Sequence, residues 1–182
     1  MPAVSIIEGH VSRAIDFYNT QNKYFSIGKT TPWSPQDDLP NVSASTSETN
    51  PPTPSPSGVL TDIVGFKKVE STYLVYPDAT GELTYNGRKW KIVNDITQAV
   101  QLGSRWVYLS TWLSYSELNP DISYRQIGVL TGLQKKSTVA ENKYALSPAE
   151  VQSMGILQTI YNRTPVYRLS TQREQLIAII EF

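Results

Sequence analysis

The chain begins with apolar residues that recur at helical spacing. A stripe of this kind indicates an amphipathic helix with one buried face. The stripe consists of Ile7, Val11, Ala14, Ile15 and Tyr18. Polar residues fall on the opposite side, and we expect the helix to end near Asn22. A short strand is predicted next, at residues 24–27, where Gly28 ends it.

Short runs of β-branched and aromatic residues dominate from Gly58 onward and predict a series of strands. The predicted strands cover residues 59–64, 66–69, 73–76, 106–113, 124–130, 156–161, 166–169 and 175–182. The last one carries apolar residues on both faces, so we expect it to be a central or sandwiched strand. Residues 95–103 are ambiguous and could contain a helical turn.

Two local motifs give sharper predictions. Asn86-Gly87 is the preferred pair for a type I′ hairpin turn, because both positions need a positive φ. The hairpin register then pairs Tyr85 with Arg88, Leu83 with Trp90 and Glu82 with Lys91. Ser147-Pro148, followed by Glu150, forms a capping box with proline in the first turn. It predicts a short late helix that ends near Gly155.

A proline-rich segment separates the first strand from the β region. Residues 29–58 contain seven of the twelve prolines, together with six serines and five threonines. Such a segment cannot form a core of its own or a regular sheet, since proline lacks the amide donor and fixes φ. Composition favours a disordered linker. Trp33 favours instead an ordered arm that this ring anchors on a neighbouring surface.

Charge and composition exclude several classes of function. Sixteen basic residues balance sixteen acidic ones, so the net basic field that phosphate binding requires is lacking and no nucleic-acid partner is expected. No apolar run approaches the ~20 residues that span a bilayer, so no membrane association is expected. The first ten residues lack the pattern of a secretion signal, which favours folding in a cytoplasm.

The sequence offers little catalytic chemistry. There is no cysteine and His10 is the only histidine, which excludes thiolate nucleophiles and disfavours a zinc site. No phosphate-binding glycine loop or calcium loop is present. We therefore predict a protein that is not an enzyme and uses no cofactor or metal. A glycosidase-like pair of carboxylates that meet only in the fold stays open.

One strand carries an unusual aromatic face. Trp106, Tyr108 and Trp112 alternate along residues 106–113 and therefore share a side. Three interpretations remain open for this face: a platform on which sugars stack, a second core layer, or a protein interface.

Several motifs together resemble the baseplate wedge subunit called gene product 8 in T-even phages. They occur in the same order as in that family and frame both ends of the chain. The motifs are Phe17-Tyr18-Asn19, residues 24–28, Pro32-Trp33-Ser34, Pro51-Pro52-Thr53-Pro54, residues 124–127 and 129–131, and residues 160–163 with Pro165 and the C-terminal strand ending at Phe182. The middle of the chain, about residues 65–121, is much shorter than in the best-known member. The chain thus looks like a compact version of that family.

The resemblance implies a structural subunit of a contractile tail baseplate, assembled in the host cytoplasm and then part of the virion. It further implies contacts with other wedge proteins, pairing with a second copy, and a part in the rearrangement that triggers sheath contraction. The alternative is a carbohydrate- or receptor-binding module of the tail.

The predicted fold is a mainly β, single-domain β-sandwich over residues 1–182. It has an N-terminal helix, a short late helix and a proline-rich arm at residues 29–58. The residues predicted to contact other proteins are Trp33, Pro51, Pro52, Pro54, Trp106, Tyr108 and Trp112.

Overall fold

The computed structural model describes residues 6–37, 43–118 and 121–182. Pro40, which belongs to the predicted arm, lies outside these ranges. Within them the chain is mainly β, with two α-helices and two short 3-10 helices. The helices are α1 (Ile7–Asn19) and α2 (Ile96–Leu102), and the 3-10 helices are Pro35–Asp37 and Pro148–Glu150. The strands of the described residues are β1 (Lys23–Gly28), β2 (Gly65–Lys68), β3 (Ser71–Pro77), β4 (Leu83–Tyr85), β5 (Arg88–Val93), β6 (Trp106–Leu113), β7 (Ile122–Thr131), β8 (Gln134–Lys135), β9 (Ala145–Leu146), β10 (Val151–Ser153), β11 (Ile156–Arg168) and β12 (Glu174–Glu181).

The chain divides into two structural units, and each contains one five-stranded sheet. The first unit comprises Met1–Gln21, Val69–Thr111 and Gln175–Phe182, and its sheet has the order β12-β6-β3-β5-β4. The second unit comprises Asn22–Lys68 and Trp112–Glu174, and its sheet has the order β11-β7-β1-β2-β9. Strands β8 and β10 form a small separate pair in the second unit.

In the first unit, aromatic and aliphatic side chains form the core of the sheet. Val75, Trp90 and Tyr108 are buried together, and Ile177 and Ile179 of β12 pack against them. Helix α1 buries Val11, Ala14 and Phe17. Two of these belong to the predicted stripe, but Phe17 does not, and Ile7 of the stripe is exposed. The helix ends at Asn19 rather than near Asn22, because Thr20 already has an extended backbone.

The predicted hairpin in this unit is confirmed. Leu83 pairs with Trp90 and Tyr85 with Arg88, which is the predicted hairpin register. The ambiguous residues 95–103 contain helix α2. At the start of this helix the Asp95 carboxylate accepts a hydrogen bond from the Gln98 amide. At its end Gly103 adopts a φ of 62°, the left-handed geometry in which helices commonly terminate.

The hairpin turn gives a testable prediction. Gly87 has a φ of 73° with open space around its Cα, so strain and not a clash decides the effect of a side chain. We expect Gly87→Ala to lower the free energy of unfolding by about 1 kcal/mol. Gly87→Asn should lose less, since asparagine tolerates this conformation better. Urea denaturation of both variants measures the difference, and equal losses would contradict a conformational cause.

The sheet of the second unit is buried at its centre. All six residues of β1 are buried, and β1 pairs with β2 on one side and β7 on the other. A core cluster below it contains Tyr24, Phe66 and Leu130, joined by Leu133 and Leu146. Burial of every residue of β1 means that both faces of the sheet are covered at this strand.

Several predicted elements are wrong. Residues 59–64 form no strand, because Asp62 takes a φ of 45° and interrupts the extended run. The predicted late helix is only the 3-10 helix Pro148–Glu150, and the chain then continues as strand β10. In the short helix the Glu150 carboxylate does accept the Ser147 amide, as the capping box requires.

Two strand predictions also need correction. Residues 156–169 were predicted as two strands but form the single strand β11. Its register against β7 shifts between Asn162 and Val166. Pro165 lies within this irregularity, where its lack of an amide donor interrupts no regular ladder hydrogen bond. Strand β12 was predicted to be central or sandwiched, and it is not central, because it lies at one end of its sheet. Both of its faces are nevertheless covered, since Leu176 and Ala178 are buried and Ile177 and Ile179 are half-buried.

The predicted fold class is confirmed. The chain is mainly β, with an N-terminal helix, a short late helical turn and an extended proline-rich segment. The described residues form two five-stranded sheets, and a β-sandwich consists of two sheets. The single-domain assignment of residues 1–182 stays a prediction.

Candidate functional site

The proline-rich segment lies on the sheet of its own unit. The Trp33 indole Nε1 donates to the Arg163 carbonyl at 2.8 Å, and the ring is only 7% exposed. The Asn162 side-chain amide donates to the Pro52 carbonyl at 3.0 Å. The Gln126 side chain accepts the Thr61 amide at 2.9 Å. Strands β7 and β11 provide the partners in these contacts. Since the described residues 29–37 and 43–64 thus lie on the sheet, we call them the proline-rich cover.

A buried ion pair holds this cover in place. The Glu48 carboxylate accepts Arg125 Nε at 2.9 Å and Nη2 at 2.8 Å, while Arg125 Nη1 donates to the Thr30 carbonyl at 2.8 Å. Glu48 also accepts the Trp33 amide at 2.6 Å. Arg125 is 4% exposed, so its charge depends on Glu48 for compensation. The hydrogen bonds from Arg125 lower the pKa of Glu48 below its usual range.

A second ion pair orders the start of the cover. Lys29 Nζ lies 2.7 Å from the Asp37 carboxylate and 5.4 Å from the centre of the Trp33 ring. Ser34 donates to Asp37 through both its amide and its hydroxyl. Burial acts to raise the pKa of Asp37, but the bonds from Lys29 and Ser34 outweigh it and the pKa is lowered. The linker interpretation therefore fails for the described part of the segment, which is ordered.

The predicted interface prolines fall on different sides of the cover. Pro52 is buried and Pro51 is half-buried, whereas Pro54 is exposed along with Pro56. Val59 beside them is 66% exposed. Pro54, Pro56 and Val59 therefore form an exposed apolar surface of the cover, next to a cleft that Trp33 also lines, while the Trp33 ring itself is buried. We call this surface the proline ridge.

The predicted aromatic residues are also used in different ways. Trp106 lies edge-on to Trp90 at 5.9 Å between ring centres, and Tyr108 stacks on Tyr73 at 6.1 Å. Both rings pack against other aromatic side chains of the first unit. Trp112 belongs to the second unit, where it is 39% exposed and carries the Arg173 guanidinium at 4.9 Å.

A cleft that was not predicted lies beside strand β9. Its volume is about 1000 Å³ and all of its lining residues belong to the second unit. Most of them come from the loop around Asp62, from the loop between β6 and β7, and from β9 and its flanking residues, and Thr30 completes the lining. No sequence signal marked it, because its lining residues are scattered over more than a hundred positions.

A carboxylate of this cleft gives a pH-dependent prediction. The ion pair with Lys143 and the hydrogen bond from the Ser147 amide lower the pKa of Glu150 from about 4.5 to about 2. A lowered pKa means that the contribution to stability is complete above about pH 4.5 and is lost as the pH falls toward 2. Urea denaturation of the wild type and Glu150→Gln should show a stability gap at pH 7 that narrows toward pH 3. A gap that stays constant with pH would contradict this assignment.

The rest of the described chain adds little reactive chemistry. His10 Nδ1 lies 2.9 Å from an Arg13 nitrogen on the surface of α1. Residues 6–37, 43–118 and 121–182 contain no cluster of three or more residues suited to hold a metal ion. None of the helices in these ranges is long and apolar enough to cross a membrane.

Comparison with known proteins decides the family. Residues 2–182 match the family described as baseplate wedge 3 tail fiber network component. The chain belongs to this family. It is also 31% identical over 176 residues to virion protein 3 of Enterococcus phage phiEF24C, an alignment that covers 92% of this chain and 88% of that protein.

Membership of the baseplate wedge 3 tail fiber network family confirms the resemblance drawn from the sequence motifs. The chain is therefore grouped with the virion proteins of phage baseplates, which agrees with the predicted location. The family is a structural one and implies contacts with other baseplate proteins.

Proposed function

We propose that this chain is a structural subunit of the baseplate wedge of a contractile tail. It holds neighbouring wedge proteins together through protein contacts and takes part in the rearrangement that precedes sheath contraction. The observation that carries the proposal is the match of residues 2–182 to a baseplate wedge and tail fiber network family. Pairing with a second copy and the absence of enzymatic activity belong to the same proposal.

The proline ridge supports a role in contacts. Pro54, Pro56 and Val59 present exposed apolar surface on a backbone that proline keeps extended, so little conformational entropy is lost on binding. The hydrogen bonds of Pro52 with Asn162 and of Trp33 with Arg163 fix the position of this segment on the sheet. Of the predicted interface residues in the proline-rich segment, Pro54 is therefore the one that we propose to meet a neighbour directly, while Trp33 holds the segment on its own sheet.

Trp112 is a second candidate contact. It is a partly exposed tryptophan stacked under an arginine, and these two residue types are enriched where binding energy concentrates. Trp106 and Tyr108 pack against other aromatic rings, so the sugar-platform alternative would have to rest on Trp112.

A stop codon introduced early in the gene tests the proposed function. We expect lysates without the protein to contain tails that lack complete baseplates in electron micrographs, with infectivity restored by a plasmid copy of the wild-type gene. Mass spectrometry of purified wild-type tails should detect the chain in stoichiometric amounts. Normal baseplates in its absence would contradict the proposal.

Variants at the two surfaces separate structural contact from glycan binding. We expect Pro54→Asp to reduce incorporation into tails, whereas Ser57→Asp, on an exposed neighbouring residue outside the ridge, should incorporate normally. Trp112→Ala tails that assemble fully but no longer bind host-cell glycans would favour the receptor-binding alternative.

A further inference from the structure

The sheet of the second unit ends at a very short strand. Strand β9 contributes only Ala145 and Leu146, which pair with Lys67 and Phe66 of β2. In the described part of the chain, the sheet order stops there. A strand at the end of a sheet presents backbone donors and acceptors to which another extended chain can pair.

The cleft described above lies beside this edge. Tyr144, Ala145 and Ser147 line it, and Leu118 and Ile122 contribute apolar surface to the same lining. All of these residues are in the second unit. An extended peptide that follows the edge of β9 would therefore have apolar side chains within reach of Leu118 and Ile122.

The charge in the cleft is unbalanced. Its lining contains three carboxylates against the single ammonium of Lys143. Glu150 pairs with Lys143, and Glu117 pairs with the buried Lys67 at 2.9 Å. Asp62 forms no ion pair within the described ranges and only accepts a bond from the Thr31 hydroxyl at 3.2 Å. An exposed carboxylate of this kind is complementary to a basic side chain.

The backbone of the cleft is held in costly conformations. Asp62, Ser116 and Leu118 all have positive φ values, of 45°, 61° and 53°, although none of them is glycine. Such conformations persist only where the surrounding structure imposes them, and they cluster at binding sites. The buried Arg168 imposes part of this geometry, because its guanidinium donates to the carbonyls of Ser114 and Glu117. One wall of the cleft is thus preorganised before any partner arrives.

We infer that this cleft is a docking groove for an extended basic segment of a neighbouring structural protein. The segment adds to the edge of β9 as a further strand, sets a lysine or arginine against Asp62 and packs an aliphatic side chain on Leu118 and Ile122. The inference rests on the proposed function, since it identifies where one wedge neighbour attaches. The alternation of side chains along a strand places the basic and aliphatic residues two positions apart.

A peptide array tests the groove with the full-length chain. The array carries overlapping peptides from the other virion proteins of the same phage. We expect the bound peptides to contain lysine or arginine two positions from an aliphatic residue. Asp62→Asn should weaken their binding by about tenfold, since it removes one charge-assisted hydrogen bond, and Leu118→Asp should abolish it.

The variants are chosen to keep the fold intact. Asparagine and aspartate tolerate positive φ better than other residues, so both substitutions suit the backbone at residues 62 and 118. Thermal unfolding of each variant verifies folding, and if Leu118→Asp fails to fold, Asp62→Asn carries the test. Asp16→Asn, on the exposed side of α1, is the matched control and should bind as the wild type does.

Three results would overturn the inference: an array on which nothing binds, bound peptides without basic residues, or binding that Asp62→Asn and Leu118→Asp leave unchanged. Failure of the proposed function is read separately, from mass spectrometry of purified tails. A chain that is present in baseplates but binds no basic peptide overturns the groove alone. A chain that is absent from tails overturns the proposed function itself.

Discussion

Replacing Arg168 with methionine is expected to lower the free energy of unfolding by about 3 kcal/mol. Arg168 is 1% exposed and donates to the carbonyls of Ser114 and Glu117. Methionine fills a similar space but donates nothing, so two carbonyl groups lose their partners. The cost of such unsatisfied groups, rather than the loss of a surface charge, sets the size of the effect.

Guanidinium chloride denaturation of the variant measures this loss. Hydrogen exchange locates it, since protection should fall first in residues 114–118. Arg173→Met is the matched control, because Arg173 is exposed and stacks on Trp112. We expect that control to lose less than about 1 kcal/mol. If both variants lost the same amount, the buried bonds of Arg168 would not be its source of stability.

Glu48→Ala is expected to lower the free energy of unfolding by about 2 kcal/mol and to loosen the proline-rich cover. The substitution leaves the Arg125 charge buried without its carboxylate and removes the acceptor of the Trp33 amide. Part of the Glu48 side chain is exposed, so water can enter and compensate Arg125 in part. The expected loss of unfolding free energy is therefore smaller than the loss caused by breaking a fully buried ion pair.

Limited proteolysis reports on the cover directly. We expect faster cleavage at the exposed residues 53–57 in Glu48→Ala than in the wild type. The double variant Glu48→Ala/Arg125→Met should recover part of the lost stability, since no buried charge then lacks a partner. A double variant that is less stable than the sum of its two single variants would exclude the uncompensated charge as the cause.

The elements that depend on neighbouring residues could be predicted from the sequence. Asn86-Gly87 determines its hairpin register because the turn geometry leaves few ways to pair the flanking residues. The apolar stripe around Val11 predicted α1, because the contacts within a helix join residues that are close in sequence. The single strand β11 was not predicted, because its ladder accommodates Pro165 at a shift of register between Asn162 and Val166.

The candidate surfaces could not be predicted, because they depend on residues far apart in sequence. Glu48 and Arg125 are 77 positions apart, and neither carries a motif that marks its partner. Trp33 was recognised as an anchor, but the surface that it binds is the Arg163 carbonyl of its own chain, 130 positions away. Composition gives the kind of contact a residue prefers and leaves its partner open.

The position of β1 has a consequence for how the chain is made. This strand is synthesised early, yet β7, its partner on one side, begins about a hundred residues later, at Ile122. Until the ribosome has produced that partner, only β2 can pair with β1, and the apolar side chains of Tyr24, Phe25 and Ile27 lack the rest of their sheet. Pairing over such distances is slow, and exposed strands aggregate while they wait. We therefore expect the yield of folded protein to depend on temperature and on chaperones during infection, at a time when many copies are translated together.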